Sequence, residues 1–291
     1  MTGASKSASL VALAALCWGV SGGIGGILTA EGWNAFVLAL YRGSIGLLFV
    51  LAWLLLRPAG SGLANRRLWF WAGIAGFGVA GNFTFYFTSI AEGGVAVAAT
   101  LMYCAPVYVY IVSFALKLEV STPSKSAAVL VVMLGIVLLT RIYYVGAAAI
   151  TPIGVVAGLL AGVCYAIFIF GFKFATPHGS PQAILTIAFA VLAAILIWQS
   201  DFNEAVAALS TPDWPLFVAL GVFGAGLSFI LYVVGIAGTR PTTAAIVAMI
   251  EPITASLFGV AIMNETLAGL QLVGMGMILL TVTAMSIHSN A

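Results

Sequence analysis

Apolar residues in this chain come in long unbroken blocks, and the polar residues gather in short gaps between them. A helix needs about 20 mostly apolar residues to cross the ~30 Å hydrocarbon core of a bilayer. Blocks of that size fall at 8–29, 33–56, 68–90, 94–116, 125–144, 151–173, 181–200, 214–237, 242–263 and 268–288. The gaps hold the breakers: Arg57-Pro58, Thr122-Pro123, Thr151-Pro152, Thr176-Pro177, Thr211-Pro212 and Arg240-Pro241. Barrel strands would alternate over about ten residues, so the pattern predicts an all-α membrane protein of ten transmembrane helices. The first block, behind Lys6, is longer than a secretory core and reads as the first span.

Composition agrees. Of 291 residues 63% are hydrophobic and 6% charged, with a mean hydropathy of +1.19. Soluble domains carry roughly a quarter charged residues. A net charge of +2, with dispersed basic residues, gives no reason to expect a nucleic-acid partner. Cys17, Cys104 and Cys164 lie inside apolar blocks without metal-ligand spacing, and His178 and His288 stand alone. No disulfide framework, metal site or cofactor is expected, and no nucleophile–base pair suggests an enzyme.

Ten spans leave both termini on one face. That face receives Lys6, Arg57, Arg66, Arg67, Lys117, Lys125, Lys173 and Arg240. The other receives Arg141 with Glu31, Glu92, Asp201, Glu204, Asp213 and Glu265. The Lys/Arg bias predicts both termini in the cytoplasm of a multi-pass inner-membrane protein.

The chain is also written twice. Shifted by 146 residues, Tyr86, Ile90, Ala98, Ala99, Pro106 and Glu119 fall on Tyr232, Ile236, Ala244, Ala245, Pro252 and Glu265. Cys17-Trp18 meets Cys164-Tyr165 at a shift of 147, and MLGIVLLT (133–140) resembles GMGMILLT (274–281). Five helices per copy is an odd number, so residues 1–146 and 147–291 are expected as inverted repeats around a central cavity. Many secondary transporters are built this way, with substrate near the midplane where the halves meet.

Particular stretches sharpen this: LCWGVSGGI (16–24), LALYRGSIGLL (38–48), AATLMYCAPVYVYIVSFALKLE (98–119), AAIVAMIEPITASLFGVAIMNE (244–265) and LAGLQLVGMGMILL (267–280). Together they resemble the drug/metabolite transporter superfamily, specifically its ten-helix EamA-type members, and within it the YddG-type amino-acid exporters. The resemblance implies export of small metabolites from the cytoplasm by alternating access. It also implies a cavity lined mainly by the first, third, fourth, sixth, eighth and ninth spans.

Candidate cavity residues can be read from helical spacing. Asn82 and Tyr86, and their counterparts Ser228 and Tyr232, are four apart and share a face. Trp18, Ser21, Gly22 and Gly25 form one stripe; Tyr165, Phe168 and Phe172 form another; Tyr103 adds a hydroxyl from the fourth span. Such a lining suits aromatic or neutral amino acids better than nucleotide sugars, whose phosphates call for Arg or Lys. The competing reading puts these aromatics against lipid or in interfacial belts. GFGVAG (76–81) matches a dinucleotide fingerprint but lacks the strand–turn–helix context, and the Asn82-Phe83-Thr84 sequon is buried in a span.

Two charges stand deep in the apolar blocks. Arg42 either holds a substrate carboxylate or acidic partner, or pins its helix to neighbouring carbonyls. Glu251 couples protons, binds a substrate ammonium, or braces the fold as a neutral donor. Its counterpart in the first copy is Ala105. Pro106 and Pro252 each remove a backbone donor and are expected to act as paired hinges. The Gly22-x-x-x-Gly26 pattern predicts close helix approach, and small residues on the fifth and tenth spans allow a possible homodimer. The function expected is amino-acid export, aromatic ones included; the alternatives are a permease for another metabolite or drug, or a passive pore.

Overall fold

The computed structural model describes residues 3–146 and 150–288 and is helical throughout, with no strand among them. The helices are α1 (Gly3–Ala30), α2 (Ala35–Leu56), α3 (Arg66–Met102), α4 (Ala105–Ala115), α5 (Pro123–Thr140), α6 (Pro152–Ala175) and α7 (Pro181–Ile197). They continue as α8 (Phe202–Ala207), α9 (Trp214–Gly221), α10 (Leu227–Ala237), α11 (Pro241–Ala248), α12 (Ile250–Ile262) and α13 (Gly269–His288). Starts follow the expected chemistry: Asn34, Asn65, Thr122 and Thr151 cap first turns with side-chain oxygens, and prolines open α5, α6, α7 and α11.

Among the described residues, eight helical stretches are long and apolar enough to cross a membrane, and the 17-residue α7 is a shorter apolar helix. One stretch, Arg66–Ala115, holds 50 residues. At 1.5 Å per residue it measures about 75 Å, far more than one crossing needs. It bends at Gly94 (φ 80, ψ 166), a conformation that only glycine takes without strain. The predicted third and fourth spans therefore join without a loop.

Two further boundaries differ from those expected. The fifth span stops at Thr140, because Arg141 takes a left-handed conformation and begins a short 3₁₀ turn, Ile142–Tyr144. The seventh stops at Ile197. The polar gap after it folds into the short α8, whose Glu204 accepts the Asn34 N–H and whose Ala205 carbonyl accepts the Tyr41 hydroxyl at 2.6 Å.

Packing uses glycine where backbones meet. α1 lies against α10 and α12, α3 against α6, α2 against α7, and α5 against α13. The close approach of α1 to α12 is made at Gly19 and Gly23, not at the predicted Gly22 and Gly26. A Cβ on Gly19 would strike Thr254 and the Glu251 carbonyl, and one on Gly23 would enter the Phe258 ring. Cβ atoms on Gly22 and Gly26 would find ordinary 3.9 Å contacts. Gly135 of α5 and Gly274 of α13 face each other's carbonyls, so these small residues are used inside the chain.

Candidate functional site

Eight residues into α2, Arg42 reaches the depth at which a charge must find partners. Its Nε donates to the Gly224 carbonyl at 2.8 Å, and its guanidinium carbon lies 4.9 Å from the centre of the Phe83 ring. Gly224 belongs to Val222–Gly226, a π-helical turn between α9 and α10. Such a turn shifts the hydrogen-bond register and leaves a carbonyl for a side chain to use. Gly224 also has no room for a side chain: a Cβ there would strike the Ser21 hydroxyl and Arg42.

Glu251 comes from the other side, in the first turn of α12 just past the break at Met249. The Tyr165 hydroxyl donates to its Oε2 at 3.4 Å, and the Tyr103 hydroxyl also reaches the carboxylate. Tyr86 and Arg42 stand within its electrostatic field. Arg42 and Glu251 nevertheless form no ion pair; Lys125–Glu119, at 2.8 Å, is the one pair within 4 Å among the described residues. The site thus holds two opposite charges, both half-buried and separated by a gap of more than 4 Å, with Tyr86, Tyr103 and Tyr165 around the carboxylate.

Beside it lies an aromatic cluster. Trp18 packs on Tyr232 at 5.0 Å, Phe229 at 5.1 Å and Phe168 at 6.3 Å between ring centres. Phe168 meets Tyr165 at 4.5 Å, which joins the cluster to the charged gap. Four polar groups here have no hydrogen-bond partner among the described residues: Trp18 Nε1, Ser21 Oγ, Ser228 Oγ and the Tyr232 hydroxyl. Their residues are at most 3% exposed. An unmet buried polar group costs about 1–3 kcal/mol, so four on α1 and α10 form a notable concentration of unused hydrogen-bonding capacity.

Of the residues singled out from sequence, Trp18, Phe168 and Tyr232 meet in the aromatic cluster, and Tyr86, Tyr103, Tyr165, Arg42 and Glu251 meet around the gap. Ser21 stands against Gly224 and Ser228 is fully buried. Asn82 is differently employed: its Nδ2 donates to the Ala161 carbonyl at 2.9 Å, tying α3 to α6. Sequence reasoning missed Phe83, Phe229 and Gly224. Phe229 was legible as the residue three before Tyr232, but the π turn that sets Gly224 against Arg42 has no sequence signature.

Helix breaks lie at Tyr103-Cys104 and at Met249, so Tyr103 and Met249 stand 146 residues apart, each three residues before its proline. Pro106 and Pro252 are both buried in the first turns of the helices that follow. The charges do not repeat. The residue 146 positions after Arg42 is Ala188, and the one 146 before Glu251 is Ala105. Each copy thus contributes one charge at a position where the other has alanine.

The EamA-like transporter family model matches twice, over residues 5–141 and 152–287. A protein from Archaeoglobus fulgidus described as an uncharacterized transporter is 32% identical over 185 residues, 63% of this chain. The chain spans 64% of that protein's length. A solved crystal structure matches 98% of this chain and 99% of its own with a TM-score of 0.76; at 19% identity the likeness is one of fold. With both matches together covering nearly its whole length, the chain belongs to the EamA-like transporter family.

Proposed function

We propose that this chain is a secondary transporter that exports amino acids, aromatic ones included, across the cytoplasmic membrane by alternating access. Residues 1–146 and 147–291 form the two inverted five-helix repeats, and both termini are cytoplasmic, as the Lys/Arg asymmetry indicates. One observation carries the substrate reading: Arg42 and Glu251 share a site yet are not paired with each other. A zwitterion complements those two charges, its carboxylate toward Arg42 and its ammonium toward Glu251, so that four charges would be satisfied together. The neighbouring Trp18, Phe168 and Tyr232 rings are packed on one another and at most 3% exposed here, and would take an aromatic side chain once the cluster opens during alternating access. The motif resemblance to YddG-type exporters supports the same substrate class.

The test is uptake into proteoliposomes of purified protein, with each of the twenty amino acids and a set of nucleotide sugars as competitors. Saturable uptake of tryptophan or phenylalanine, competed by other neutral amino acids, is expected. Uptake competed by nucleotide sugars alone would assign the gap to a different metabolite.

A further inference from the structure

The two spans that carry the paired prolines each run on to a glutamate, Glu119 and Glu265. The local backbone repeats. Glu119 N–H donates to the Ser113 carbonyl at 3.3 Å and Glu265 N–H to the Gly259 carbonyl at 3.1 Å, six residues back in each case. Both loops also pass through a left-handed residue, one place apart in the repeat: Lys117 (φ 56) two before Glu119 and Asn264 (φ 57) one before Glu265.

The carboxylates are used differently. Glu119 Oε1 accepts the Thr242 N–H at 3.0 Å, at the start of α11, and its Oε2 accepts from Lys125 Nζ at 2.8 Å. Its side chain is 3% exposed. Lys173 Nζ donates to the carbonyls of Ile236, Ala237 and Thr239 at 2.8–2.9 Å, so both ends of the turn between α10 and α11 are held. Pro241, Thr242 and Thr243 are buried behind these contacts.

Glu265 is exposed and lies along Gly259. The residue matching Thr242 is Ala96, where α3 restarts after the Gly94 bend. There Ala96 is half-buried and Val95 is 61% exposed. A helical first turn offers N–H groups without intrahelical acceptors and the positive end of the macrodipole, both of which favour a carboxylate. One end of the molecule is therefore latched by its glutamate, and the matching end is not.

We propose that Glu119 and Glu265 are exchanging latches: Glu119 caps Thr242 in one state of the transporter, and Glu265 caps Ala96 in the other. The proposal rests on the repeat and alternating-access reading above. It explains why both glutamates sit in one backbone frame while only one is engaged. It also gives the states unequal weight. Lys125 backs Glu119, but in the frame that aligns 133–140 with 274–281 its counterpart is Thr266, and no cation pairs with Glu265 among the described residues. The empty protein favours the state with Glu119 engaged.

Spin-label distances in nanodisc-embedded full-length protein test this, with Cys17, Cys104 and Cys164 replaced by alanine. One label pair, Leu116→Cys with Ala237→Cys, reads the latched end; its repeat mate, Ile262→Cys with Ala91→Cys, reads the other. All four positions are exposed. Glu119→Gln should lower the short-to-long ratio of the first pair about tenfold, the usual weight of a charge-assisted bond, and raise the short population of the second. Adding Glu265→Gln to Glu119→Gln should return both pairs toward the wild-type ratio. If Glu119→Gln does not fold, Lys125→Met carries the same prediction. A double variant identical to Glu119→Gln alone would overturn the exchange and leave alternating access standing. A single unchanging distance in both pairs, with and without amino acids, would overturn both.

Discussion

Replacing Glu251 with glutamine removes one charge from the central gap and little else. The side chain keeps its size, and the Tyr165 and Tyr103 hydroxyls keep an oxygen to approach. Arg42 keeps the Gly224 carbonyl at 2.8 Å and the Phe83 face. The cost to folding should therefore fall well below the roughly 3–5 kcal/mol of breaking a contacting buried ion pair. The cost to binding should be larger. A charge-assisted contact to an ammonium is worth about 1.5–3 kcal/mol, which is about ten- to a hundredfold in apparent affinity. The assay is competition for tryptophan uptake by three ligands: the amino acid, its N-acetyl derivative without the ammonium, and its decarboxylated amine. Glu251→Gln should weaken the amino acid and the amine and spare the N-acetyl compound. Arg42→Gln should weaken the amino acid and the N-acetyl compound and spare the amine. Equal losses for all three ligands in both variants would refute the assignment of the two charges.

Other expectations concern the supports of the site. Gly224→Ala forces a Cβ against Ser21 and Arg42; uptake should fall about fivefold or more, from a displacement cost of about 1–3 kcal/mol, and wild-type uptake would contradict the positioning of Arg42 by the π turn. Asn82→Ala removes the bond to the Ala161 carbonyl; it should lower thermal stability by about 1–2 kcal/mol and leave apparent affinity within twofold. Burial opposes ionisation of Glu119, but the Lys125 and Thr242 hydrogen bonds outweigh it and hold its carboxyl below the usual 4.5. A depressed folded value means that its stabilising effect is complete above the unfolded value and is lost as pH falls below 4.5 through the folded one. Thermal unfolding in detergent should show that acid loss in the wild type and a flatter profile in Glu119→Gln.

Much of the fold was legible because a bilayer admits few solutions: long apolar blocks become helices, and breakers mark their ends. What blurred the boundaries was local backbone. Gly94 lets two spans run together by taking a positive φ, and Arg141 ends α5 in a left-handed turn despite an apolar block that runs on to Tyr144. Within the site, Arg42 and Glu251 announced themselves as charges in apolar surroundings, and the tyrosines through the repeat. The employment of Asn82 by a carbonyl on α6 was not readable, since helical spacing gives a face and not the partner across it. Gly19 and Gly23 were passed over for the same reason: five glycines lie within one helical stripe and its neighbours, and only packing against α12 selects among them.

Tracer counterflow measures the central claim most directly. Proteoliposomes loaded with millimolar unlabelled phenylalanine are diluted into a trace of labelled tryptophan. An amino-acid carrier should concentrate the label transiently above its equilibrium level, and the overshoot should disappear in Glu251→Gln and Arg42→Gln at the same loading. Label that enters to equilibrium without overshoot, at a rate indifferent to internal phenylalanine, would mean a passive pore and contradict the account.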